Sequence, residues 1–175
     1  LSCIDCNRHR GHTIFQVGAT VEENLSRESK VSGKGNSFPI MGPAYAQQEA
    51  DDADAELPAL IDPTRTDPSV HLTWVSMDDI SLVAPRTNGG APDVRGFATM
   101  HVFGLNRQGL VEQRTALLLR LRKETRDIER LLDIAVRANV ADGDQLLDMV
   151  WGMLSDLYAL SDPCQPYSAM VSDFL

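Results

Sequence analysis

Apolar positions in the last third of the chain recur with a helical period. From Asn106 to Ala138, leucine or isoleucine stands at 110, 117, 121, 128, 131 and 132, followed by Ala135. At ~100° per residue these positions share one arc of roughly 100°, as an amphipathic helix requires. Gly109 is a weak helix former, so regular helix is expected from Leu110. Asn139-Val-Ala-Asp-Gly143 reads as a breaker, with Asp142 or Asp144 available as an N-cap. A second helix is expected from Asp144 to Leu160, stopping before Pro163. So short a connection makes the two helices antiparallel neighbours, a helical hairpin.

Upstream the pattern changes to alternation. Thr13–Val21 is β-branched and aromatic enough for one strand. Val70, Leu72 and Trp74 alternate with His71, Thr73 and Val75; Ser76–Asp79 follows as a turn and Ile80–Ala84 as a return strand. Pro85–Gly96 reads as a loop in which Asn88-Gly89-Gly90 supplies positive φ. Phe97, Thr99, His101, Phe103 and Leu105 then fall on one face of a further strand. The predicted class is α+β: a small antiparallel sheet of three to four strands, packed with a carboxyl-terminal antiparallel helical hairpin.

Residues 22–69 break both patterns. They hold Ser-Gly-Lys-Gly-Asn-Ser (32–37), five prolines from Pro39 to Pro68, and the acidic cluster Glu49, Asp51, Asp52, Asp54 and Glu56. So few apolar side chains do not offset ~1–2 kcal/mol per residue of backbone ordering. A long flexible acidic linker is predicted there, preceded by an amino-terminal segment (1–21). An α+β core (70–162) and a tail (163–175) follow it. The tail ends in Met170, Val171, Phe174 and Leu175, a short apolar peptide suited to docking in trans.

The chain's 175 residues suit one domain, and 43% apolar residues suffice for a packed core. The net charge of −9 argues against a surface built wholly for nucleic acid or an anionic membrane. Its distribution softens that exclusion. Arg114–Arg137 carries seven bases against four acids, a local +3, leaving nine bases against twenty-one acids, −12, elsewhere. No apolar run approaches the ~18 residues of a membrane span. Three cysteines, an odd number, make no disulfide framework and suit a reducing compartment. The start at Leu1 suggests a fragment or processed product. Without a basic start and an apolar stretch no signal peptide is seen, so the expected location is cytoplasmic or within a macromolecular assembly.

Two helix faces offer themselves to partners. Arg122, Lys123, Arg126, Arg130 and Arg137 lie opposite the leucine stripe of the first helix, an electrostatic docking face. It suits an acidic protein segment, and nucleic-acid phosphates less well, because the −12 remainder repels a polyanion. The second helix is apolar over roughly 200°, about twice what one core contact needs. Leu147, Trp151, Leu154 and Tyr158 are the predicted partner interface within that excess. Gly152, on the polar side, has no evident reason.

The remaining chemistry is sparse. Cys3, Cys6, His9 and His12 form the one metal-type cluster, with the ligand types of tetrahedral zinc. Their uniform three-residue interval, however, turns each ligand away from the last in a helix; Cys164 is a substitute ligand. As a redox pair the Cys-x-x-Cys precedes no helix that would lower a thiol pKa. Gly33-Lys34-Gly35 lacks the upstream glycine and following Ser/Thr of a phosphate loop. His71 and His101, with Asp78 or Asp79, are the minimum for acid–base work, but no nucleophile elbow accompanies them. Asn24-Leu-Ser26 fits a glycosylation tripeptide, close to chance in this length. The expectation is a non-enzymatic assembly or adaptor protein that forms a homo-oligomer or binds a protein partner. A zinc-stabilised regulatory module and a nucleic-acid-binding subunit are the alternatives.

Overall fold

The computed structural model describes residues 4–77, 79–138 and 140–175. Contacts divide the chain after Glu112 into two units. Helix and small antiparallel sheets mix, and the long helices lie at the carboxyl end. The described sheets are three two-stranded ribbons, rather than one sheet of three or four strands.

The first unit opens with α1 (Ile4–Asn7) and β1 (Arg10–His12), which pairs with β2 (Lys30–Ser32) so that Arg10 faces Ser32 and His12 faces Lys30. The strand expected over Thr13–Val21 does not form; Ile14 makes a single bridge to Arg107, and Val21 starts the helix α2 (Val21–Leu25). Local polar bonds override the β-branched composition there. Thr20 and Glu23 close a reciprocal capping box, with the Thr20 N–H donating to Glu23 Oε2 at 2.8 Å. Buried Asn24 accepts from the Gln16 N–H (2.7 Å) and donates to the Ala19 carbonyl (3.2 Å), folding the preceding turn.

Residues 22–69 are more structured than their composition predicts. They contain α2, β2, an Ile40–Pro58 bridge, two 3₁₀ turns (Ala53–Glu56 and Pro68–Val70) and buried Ala59, Leu60 and Ile61. Here acids tie down backbone that apolar burial does not. Asp51 accepts from the Gln47 and Gln48 N–H groups, Glu56 from the Ala46 N–H, and Asp67 from the Ser69 N–H. These bonds hold the Asp51 and Asp67 carboxyls below the ordinary value.

The predicted hairpin of alternating residues forms: β3 (Leu72–Met77) pairs with β4 (Ile80–Pro85) from Leu72–Pro85 to Met77–Ile80. Both its faces are buried. Leu82 and Ile80 join Phe15 and Val111 on one side, while Leu72 and Val83 join Ile61 on the other. A short ribbon follows, β5 (Thr87–Asn88) with β6 (Ala91–Pro92), turning on Gly89 (φ +60°) and Gly90 (φ +86°) as the loop composition requires.

The strand expected over Phe97–Leu105 is instead α3 (Val94–Phe103). Its caps decide the matter. Asp93 accepts from the Gly96 N–H at 2.8 Å, and Gly104 ends the helix at φ +58°. The buried positions Gly96 and Thr99 follow helical spacing, and Phe97 is left exposed. Asn106 then pairs with the Val83 backbone in both directions, each bond 2.8 Å.

Helix α4 (Gln108–Arg137) begins in the first unit, two residues before the expected start, and runs through the second. Its buried side chains there include Arg114, Leu121, Ile128 and Ala135, a seven-residue interval, with Leu118 beside them. Helix α5 (Val140–Ala159) buries Gly143, Val150 and Leu157 at the same interval. The expected breaker is largely helix: Asp142 and Gly143 lie in the first turn of α5, so neither Asp142 nor Asp144 is its N-cap. A Cβ at Gly143 would sit 3.1 Å from the Ala135 carbonyl, so glycine permits this approach of the two helices. The tail docks in cis as α6 (Ser168–Phe174), burying Met170 and Val171, while the Tyr167 hydroxyl donates to Gln113 Oε1 at 2.6 Å.

Candidate functional site

The apolar circumference of α5 divides in two. One part is the buried interval through Val150 and Leu157. Beside it, Leu147, Trp151, Leu154 and Tyr158 follow spacings of four, three and four, which stack them along one helix face within roughly 60°. Trp151 is 70% exposed, Tyr158 60% and Leu147 40%, with Leu154 half-buried. The four predicted interface residues thus share one strip, and its two aromatic rings stand in solvent. Such rings bury large areas and are over-represented at the centres of interfaces. Elsewhere on the helix Asp144, Asp148, Gly152 and Asp156 are exposed, and Met149 is exposed among them.

The outer face of α4 differs in kind. Lys123 Nζ lies 3.0 Å from Asp127, Arg130 3.6 Å from the same carboxylate, and Arg137 2.8 Å from Asp133. Arg120 pairs with Glu124 as well. Much of the basic stripe is therefore neutralised by its own helix at the i+3 and i+4 positions, which lowers its pull on a polyanion. Arg122 is half-buried and Arg126 exposed.

The Cys/His residues disperse. Cys6 sits on α1 with its Sγ 3.6 Å from an Arg107 nitrogen, His9 lies against Gly35, and His12 is on β1. Among the described residues no three His, Cys, Asp or Glu side chains converge on a common point. Cys3 lies outside the described residues, and Cys164 is exposed before α6. The Gly33-Lys34-Gly35 turn is closed to phosphate in a specific way. Its three N–H groups donate to the carbonyls of Val102, Cys6 and Asn7, so none points outward.

His71 and His101 have different partners. His101 stacks on Phe97 (centroids 4.2 Å), and Asp78 lies outside the described residues. His71 instead meets Asp93, Nδ1 to Oδ1 at 3.0 Å, and since a carboxylate only accepts, the proton sits on Nδ1. Burial pushes the Asp93 carboxyl up, but the Gly96 N–H and the His71 ring outweigh it and hold it below the ordinary value. This pair was not anticipated, although an aspartate three residues before Gly96 is a readable N-cap signal. Its bonds tie the start of α3 to His71 and, through Asn88 at 3.4 Å, to the preceding ribbon. Among the described residues no helix is long and apolar enough to cross a membrane. No protein-family model, curated protein or solved structure matches this chain.

Proposed function

We propose that the chain is a non-enzymatic assembly protein in which α4 and α5 act as an antiparallel helical hairpin that self-associates. One observation carries the reading: the strip Leu147, Trp151, Leu154 and Tyr158 presents two aromatic rings to solvent along a single helix face. Charge selects the occupant. The carboxyl-terminal stretch from Ala138 has six acids and no base, so an α5–α5 contact would oppose like charges. The outer face of α4 in a second copy offers exposed Leu119 and Arg126, beside Arg130 and its Asp127 partner. A two-fold pair in which each copy lays its α5 strip on the other's α4 satisfies both the apolar strip and its acidic rim.

Sedimentation equilibrium over a range of concentrations tests this. The expected result is a reversible dimer that Trp151→Glu returns to monomer, with its helical circular dichroism unchanged. A strict monomer at every concentration overturns the reading.

A further inference from the structure

A second surface of this chain, independent of the helical strip, has the construction of a ligand site. The first unit holds a cavity of about 470 Å³, within the ordinary range for small-molecule pockets. Its lining is largely apolar, and of a particular kind. Phe15 and Phe97 supply phenyl rings, Met100 a thioether, and the His101 imidazole stacks on Phe97 with 31° between the ring planes. A ring packed against another ring gains more than its buried area alone provides, and a thioether favours contact with an aromatic edge. Walls of this composition suit a planar aromatic body.

The polar side chains of the lining decide its charge. Two of them are buried, and neither is open to a ligand. The Asn106 amide is engaged with the Val83 N–H and carbonyl, and Ser32 Oγ is closed off against Gly104. Gln16, Lys30 and His101 are exposed, so their polar ends remain in water at the mouth. Among the described residues no Asp or Glu lines the cavity. A charge carried inside would lose its hydration without gaining a partner, a cost that an uncharged molecule avoids. We infer that the cavity binds a small uncharged aromatic compound, its ring against Phe15, Phe97 and Met100.

Fluorescence titration of the full chain with two probes tests the inference. N-phenyl-1-naphthylamine is uncharged and brightens in apolar surroundings; its 8-sulfonate carries the same rings with one negative charge. The uncharged probe is expected to bind saturably at one site per chain, at least tenfold more tightly than the sulfonate. Phe97 is 46% exposed, so its substitution leaves the fold in place. Phe97→Leu keeps apolar bulk but removes the ring, and should weaken the uncharged probe about fivefold, with helical circular dichroism unchanged. Phe97→Tyr keeps the ring and should retain the affinity. No saturable binding, equal or tighter binding of the sulfonate, or affinity indifferent to Phe97→Leu would each overturn it. Trp151→Gln should leave binding intact; if it abolishes binding, the probe occupies the α5 strip and the cavity assignment fails.

Discussion

The two units of this chain are held together by different means. Up to Glu112 the elements are short, and buried polar side chains knit them. Asn24 folds a turn, Asn106 pairs with Val83, Thr99 accepts from the Ile61 N–H at 2.9 Å, and Asp93 joins α3 to His71. From Gln113 onward the long helices bury mostly apolar side chains at seven-residue intervals, with Arg114 the buried charged side chain among the described residues. The first kind of cohesion is directional and depends on charge state. The second is non-directional, and a helix built by it can carry more apolar surface than its own unit covers, as α5 does.

Substitutions separate the two kinds. Leu121→Ala removes a fully buried side chain of α4 and should cost about 2–5 kcal/mol in a guanidinium melt, by the same amount at every pH. Asn106→Ala leaves the Val83 N–H and carbonyl without their partner and should cost about 2–4 kcal/mol. Asp93→Ala removes the α3 cap and the His71 bond, a loss of about 1–2 kcal/mol at neutral pH. Its sign with pH is fixed by the lowered carboxyl. The Asp93 contribution is present above the ordinary 3.8 and is lost as pH falls through the lower folded value, so the variant's acid limb should be flatter than the wild type's. An acid limb of unchanged slope would remove the charge-dependent half of the contrast. The smallest effect is expected at Gly152, where an added Cβ meets open space: Gly152→Ala should raise stability by up to about 1 kcal/mol in the same melt.

The contrast also accounts for what was legible in the sequence. Periodicity reports apolar cohesion, so α4, the β3–β4 hairpin and the α5 strip could be read from residue spacing. It does not report polar cohesion. Phe97–Leu105 alternates like a strand, but Asp93 and Gly104 cap it as a helix. Residues 22–69 lack apolar weight, but Asp51, Glu56 and Asp67 tie their backbone. The cavity of about 470 Å³ in the first unit was illegible for a further reason: its lining comes from positions between Ile14 and Asn106 that no local pattern unites.

The claim that the α5 strip is covered by a second copy turns on the environment of one indole. With Trp74 replaced by phenylalanine, Trp151 becomes the sole fluorophore of its kind, and its emission can be followed through a dilution series. Blue-shifted emission at high concentration is expected to move to the solvent-exposed maximum on dilution, with a midpoint matching the dimer dissociation constant. Emission that stays the same at all concentrations would contradict it.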